Sequence, residues 1–169
     1  MAAFDPILEK TILREGGFVL HQVPGDRGGE TYAGIARRRH SDWSGWKLID
    51  EGRTSGLKEL VAALYHQKFW RPIQGDAIND QQIAAAVFDF AVNAGPTTAI
   101  RAAQRVADAD VDGLMGPITL AALNASEPES FLVAYALARV RYYAGICNMD
   151  RSQSKFLLGW INRALAMIA

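Results

Sequence analysis

Three observations predict a mainly α fold with an irregular early segment. Apolar residues recur at helical spacing through most of the chain, no alternating period-two run competes with them, and prolines and glycines fall between the periodic stretches. In the first helix, Asp5 followed by Pro6 reads as an N-cap with proline at the first helical position, and the helix runs to about Glu15. From Phe18 to Arg53 periodicity is poor: glycine, Pro24, charges and two tryptophans give loops, a short hairpin and a short helix near Ile35 to Arg39. Irregular stretches of this length in small domains usually carry function.

Leu57, Leu60, Val61, Leu64 and Tyr65 restore the helical stripe, which Pro72 forces to end near Trp70. Asp80 is placed to cap the next helix, whose stripe is Ile83, Ala84, Val87, Phe88, Ala91 and Val92 and whose stop is Gly95-Pro96. A shorter helix begins at Thr97 or Thr98, and the polar segment Asp108 to Gly116 breaks the pattern. Pro117 opens another helix. Ser126 and Glu129 have capping-box spacing for a helix that reaches Tyr143 or Gly145, and a last helix carries Phe156, Leu157, Trp160, Ile161, Ala164, Leu165 and Ile168. A soft boundary near Gly95 divides the chain into residues 1–95 and 96–169.

Composition narrows the classes of function. Half of the 169 residues are hydrophobic, enough for one filled core or two small lobes. With 18 basic and 18 acidic residues, the chain lacks the electrostatic drive of nucleic-acid and membrane-surface binders, so neither is an expected partner. Cys147 is alone and forms no intrachain disulfide, which suits folding in a reducing cytoplasm. No stretch approaches the ~18 apolar residues of a membrane span, and the first residues do not read as a signal peptide. The expectation is a monomer made in the cytoplasm; if it works elsewhere, something else must release it.

The chemistry is concentrated early. At about 100° per residue, Phe4, Ile7, Leu8 and Ile12 share one arc, and Glu15 projects near its middle. A carboxyl group there loses hydration, which disfavours the charged form and suits a general acid. Gly16 and Gly17 can end the helix in a left-handed turn and leave space beside the carboxyl. Downstream, Asp26 lies in a polar, glycine-rich loop, beside Arg27, that favours an ionised carboxylate, and Thr31 could hold a water. Hydrolysis of a glycosidic bond needs this division between a protonated acid and a carboxylate. Two plainer readings stand beside it: Gly28-Gly29 as a simple tight turn, and Glu15 as a buried acid paired with Arg14, Arg27 or Arg37.

A set of motifs in order carries a resemblance: Glu15-Gly16-Gly17-Phe18; Asp26-x-Gly28-Gly29-x-Thr31-x-x-Gly34-Ile35; Tyr65-x-x-x-Phe69-Trp70-x-Pro72-Ile73-x-Gly75-Asp76; and Val87-Phe88-Asp89-Phe90-Ala91-Val92-Asn93-x-Gly95-Pro96. Together they resemble glycoside hydrolase family 108, phage and bacterial N-acetylmuramidases of lysozyme-like fold. The resemblance implies a two-lobed fold, cleavage of the β-1,4 bond after N-acetylmuramic acid in peptidoglycan, and Glu15 as a catalytic residue, with no cofactor. The order Glu15, Asp26, Thr31 is also similar to the acid, carboxylate and threonine of phage lysozymes. The loop departs from the family's more frequent Asp-Pro-Gly-Gly, which lies closer to the glutamate.

Residues beyond Pro96 resemble the predicted peptidoglycan-binding region that accompanies this family, through Ala103-Gln104 and Val111-Asp112-Gly113-x-x-Gly116-Pro117-x-Thr119-x-x-Ala122-Leu123. The same residues read equally as a structural connector: a turn at Asp112-Gly113 and a helix opened by Pro117. Asp89 and Asn93 are either surface or the lining of a cleft across from Glu15. Tyr32, Trp43, Trp46 and Trp70 are either sugar-stacking platforms or core, with Tyr32 and Trp70 the favoured platforms. His21, His40 and His66 show no metal-ligand spacing, which argues against a zinc amidase. Arg37-Arg38-Arg39-His40 reads as the solvated face of a short helix. A non-catalytic wall-binding or secretion-associated protein that keeps the fold is the alternative to an enzyme.

Overall fold

The structure, a computed structural model, describes residues 1–21 and 29–168. Among them are eight α-helices and one three-stranded sheet, a mainly α architecture as the periodicity predicts. They divide into two compact units, Phe4–Lys68 and Met1–Ala3 with Phe69–Ala169.

In the unit Phe4–Lys68, α1 (Phe4–Arg14) buries Ile7, Leu8, Thr11 and Ile12. It starts one residue before Asp5, so Asp5 lies in the first turn rather than capping it; Pro6 is tolerated there because that turn's N–H groups have no helical partner anyway. The irregular segment folds into β1 (Leu20–His21), β2 (Thr31–Tyr32) and β3 (Ile35–Ala36), antiparallel and in that order, with Leu20 opposite Tyr32 and Thr31 opposite both His21 and Ala36. Ala33 and Gly34 connect β2 to β3 with φ of 49° and 77°. Two consecutive positive φ values make the tight hairpin turn whose twist matches paired strands.

The helix expected near Ile35 to Arg39 is replaced by β3 and a turn in which the amides of Arg39 and His40 both donate to the Ala36 carbonyl. Arg37 is correspondingly not a solvated helix residue. Its guanidinium joins the carboxylates of Glu30 and Asp50 and lies 5.0 Å over the Trp46 ring. Those bonds hold the Asp50 carboxyl below the usual carboxylate range. Next comes α2 (Gly45–Asp50), too short for its periodicity to be read. Trp43 and Trp46 are core residues that meet edge to face at 5.1 Å and send their indole N–H groups to the carbonyls of Leu60 and His40. Helix α3 (Leu57–Tyr65) buries Leu57, Val61, Leu64 and Tyr65, and a π-helical turn from His66 to Trp70 follows it.

In the other unit, α4 (Gln81–Ala94) is the central element, with Ile83, Ala84, Ala86, Val87, Phe88, Phe90 and Ala91 all buried. Asp80 caps it as expected, accepting from the amides of Gln82 and Ile83, a contribution of about 0.5–2 kcal/mol. Gly95, with φ 89°, separates α4 from α5 (Pro96–Val106), which opens on Pro96 itself rather than on Thr97 or Thr98. α6 (Pro117–Ala125) opens on Pro117 as predicted. The cap of α7 (Pro128–Met149) is Glu127, whose carboxylate accepts from the amides of Glu129 and Ser130, while the Ser126 hydroxyl donates to the Ala122 carbonyl instead. Gly145 is carried inside α7, which extends to Met149. A 3-10 turn (Arg151–Phe156) leads into α8 (Leu157–Leu165). Helices α4, α5 and α7 pack on one another, so the boundary drawn near Gly95 falls inside a single packed unit.

Candidate active site

Glu15 stands immediately after α1, and the helix ends there for a geometrical reason. The Gly17 amide donates to the Ile12 carbonyl at 2.8 Å and the Gly16 amide to Leu13 at 3.4 Å, with φ of 97° at Gly16 and 75° at Gly17. This pair of bonds is the Schellman arrangement, which needs a left-handed residue directly after the C-cap, here Glu15. The sequence expectation of a left-handed glycine turn is met, and among the described residues nothing lies within 4 Å of a Cβ built on Gly17. The half-buried carboxylate-bearing residue therefore sits at a fixed stop.

The hairpin turn packs against the stem of Glu15. A Cβ on Gly34 would lie 3.0 Å from Glu15 Cβ and 2.6 Å from Tyr65 Oη. Tyr65 in turn donates its hydroxyl to the Ala33 carbonyl at 2.9 Å, a buried bond between α3 and the turn. Glu15, Gly34 and Tyr65 thus form one packed cluster. Sequence reading placed Tyr65 in an apolar stripe and at the head of one motif and Gly34 in another, and gave neither a role; the hydroxyl on an otherwise apolar stripe was the available signal.

Thr31 is half-buried on β2 opposite His21, whose Nε2 lies 3.4 Å from the Gly16 carbonyl oxygen. The strand pairing therefore links Thr31, through His21, to the residue that follows Glu15. Asp26, with Arg27 and Gly28, lies outside the described residues.

Tyr32, Trp70 and Asp89 take other places than those expected. Tyr32 is only 9% exposed and stacks on Trp43, with centroids 6.2 Å apart, and Phe18 flanks it at 6.4 Å. One face of its ring is already covered. Trp70 is fully buried: its indole N–H donates to Asp76 at 2.9 Å, and a Cβ on Gly75 would stand 2.3 Å from the ring. It offers no face to a sugar. Asp89 is 2% exposed and is neither surface nor cleft lining, because Arg139 and Arg163 both bind it, at 2.7 Å and 2.9 Å. Burial pushes its carboxyl up, but the hydrogen bond and charge of Arg163, with Arg139 behind them, bring it below the usual carboxylate range. Asn93 remains exposed while its Oδ1 accepts from the Tyr143 hydroxyl at 2.7 Å. Glu15, Thr31 and Tyr32 belong to one unit, and Trp70, Asp89 and Asn93 to the other.

The histidines have separate environments. His21 faces Gly16, His66 packs edge-on to Phe4 at 5.1 Å, and His40 lies 3.3 Å from Lys68, where burial, then the lysine charge, lowers its basicity. Among the described residues no three histidine, cysteine or acidic side chains converge as a metal site.

Residues 8–95 match the family model Glycosyl hydrolase 108. The chain belongs to that family. Residues 98–165 of this family 108 chain match a second model, described as Predicted Peptidoglycan domain. Among solved structures, the family 108 chain is similar to SagA of Brucella abortus, at 26% identity and a TM-score of 0.68 over 98% of this chain and 95% of that one. Comparison with curated proteins finds no match. At the level of the family, the chain is a glycosidase of the peptidoglycan-hydrolase class, with peptidoglycan as its partner. None of its described helices is long and apolar enough to cross a membrane.

Within the second matched segment, the Ala103-Gln104 and Asp112-Gly113 motif has a structural explanation. Gln104 is fully buried; its Nε2 reaches Asp112 Oδ1, the Leu114 carbonyl and Thr119 Oγ1 at 2.7–3.1 Å, while its Oε1 accepts from the Gly113 amide. One amide side chain thereby ties the loop to α5 and α6. These bonds give Gln104, Asp112, Gly113 and Thr119 a structural role in the connector.

Proposed function

We propose that the chain is an N-acetylmuramidase that hydrolyses the β-1,4 bond between N-acetylmuramic acid and N-acetylglucosamine, with Glu15 as general acid. The observation that carries this reading is the placement of Glu15 at a Schellman stop, braced by Gly34. An acid so held can meet a leaving oxygen without reorganising.

In this mechanism the carboxyl proton of Glu15 passes to the glycosidic oxygen as the bond to the muramic C1 breaks. Asp26 supplies the second carboxylate, which stabilises the cationic carbon or activates water, and Thr31 positions that water. Hydroxide from water ends on C1, and its proton restores Glu15. The family match supports glycosidase chemistry, and the balance of charges over the chain suits a polymer whose backbone is neutral. In this reading the chain meets its substrate in the cell wall, after holin-type release or dedicated secretion.

The test is digestion of purified peptidoglycan followed by mass spectrometry of the fragments. A muramidase frees reducing ends on muramic acid. Reducing ends on glucosamine would assign the other glycosidic bond, freed peptides would assign an amidase, and binding without fragments would assign a wall-binding protein.

A further inference from the structure

The second unit has a groove that the proposed chemistry does not use. It has a volume of about 590 Å³ and runs between α5 and α7, with Phe90 of α4 contributing to it. That size falls in the ~300–1,000 Å³ range of pockets that hold compact ligands. Small side chains create the space: Ala102 on α5 faces Ala134 and Ala138 on α7. Leu137 and Met149, 62% and 85% exposed, extend its apolar surface.

Two cations line this apolar groove, Arg105 from α5 and Arg141 from α7, and among the described residues no acidic side chain does. Arg105 makes one long bond, to the Arg101 carbonyl at 3.4 Å, and neither guanidinium is paired with a carboxylate among the described residues. Such a surface suits a ligand with small apolar groups and more than one carboxylate. It suits a glycan poorly, since sugar rings need a dense set of hydrogen-bonding partners and the groove adds only Thr98 and Tyr142 to its arginines. The polar motif of the same segment is already consumed by Gln104, which removes it as a competing ligand site.

We propose that this groove binds the acidic stem peptide of peptidoglycan, its alanine methyl groups against α5 and α7 and its carboxylates on Arg105 and Arg141. This rests on peptidoglycan being the partner, but not on Glu15 being the acid. Wall recognition would then read the peptide in the second unit, while the proposed acid acts on the glycan.

The full chain, isotope-labelled, is titrated with the synthetic peptide N-acetyl-L-Ala-γ-D-Glu-L-Lys-D-Ala-D-Ala, whose two carboxylates outnumber its one ammonium, and followed by NMR, in parallel with a peptide-free glycan oligomer. The expected result is saturable shifts at Ala102, Ala138 and Tyr142 with the peptide, and an affinity loss of about tenfold or more in the double variant Arg105→Glu/Arg141→Glu. Both arginines are exposed, so the variant should fold, and its amide spectrum reports that directly. Ala138→Phe, which fills the groove without touching charge, should weaken the peptide similarly. The proposal is overturned if the peptide produces no saturable shifts at millimolar concentration, or if charge reversal leaves its affinity within about twofold. Turnover of the peptide-free glycan by the unsubstituted chain is assayed alongside; its absence would count against the muramidase reading and leave the peptide titration to decide this one.

Discussion

Gly34 lies against Glu15, so closely that a methyl group on it would be 3.0 Å from the Glu15 Cβ and 3.2 Å from its Cγ. The φ of 77° at Gly34 also excludes ordinary side chains. Gly34→Ala should therefore cost at least ~1 kcal/mol in chemical denaturation. It should also reduce lytic rate beyond what stability explains, because the methyl group displaces the glutamate or the Tyr65 hydroxyl. Normal turnover by a folded Gly34→Ala chain would show that the cluster does not position Glu15.

Glu15→Gln keeps shape and removes the proton the leaving oxygen requires. Activity on purified peptidoglycan should fall by about 10²- to 10⁴-fold, with the melting temperature and wall sedimentation held near the parent's. Retention of most of the lytic rate would remove this residue from the acid role.

Asp89 sets an acid limit on stability. Its folded carboxyl titrates below the ordinary value, so its contribution is fully present above about pH 4 and disappears as pH falls through the lower, folded value. Circular dichroism between pH 5 and 2 should show unfolding in that window. Asp89→Ala, which strands Arg139 and Arg163, should cost about 3–5 kcal/mol at neutral pH. A loss under 1 kcal/mol would mean that the two arginines find other partners.

No step proposed here uses a Lewis acid. Hydrolysis should persist after exhaustive treatment with a strong chelator, measured as turbidity loss of purified walls. Loss of activity that zinc restores would favour an amidase instead.

The parts of the fold legible in the sequence are those where local chemistry decides the conformation. The Gly16-Gly17 stop, the Asp80 cap and the Pro117 start each depend on a few adjacent residues, and each is found as read. The hairpin was legible only in outline, since β3 and the turn after it arise from pairing between residues that no helical period marks. The candidate site divides in the same way. Glu15 was proposed from its own place at the end of α1, whereas the packing of Tyr65 on the turn beside it depends on a contact 32 residues away. Trp70 and Asp89 were misread because a motif shows which residues recur together and not which are buried: the indole closes on Gly75, and the carboxylate answers two arginines from distant helices.

That last ion pair bears on how the chain can be taken apart, in the test tube or in descent. Asp89 lies in the segment matched to the hydrolase family, whereas Arg139 and Arg163 lie in the segment matched to the peptidoglycan domain. A cut at Gly95 would leave two guanidinium groups, one of them fully buried, without their common counter-ion, and would strip α5 and α7 of the helix they pack on. A peptidoglycan-domain segment exchanged between relatives at that point would arrive unable to close its own core. The portable piece must begin before α4, so a recombination that keeps the lobe intact has to carry off part of the sequence that bears the hydrolase's name.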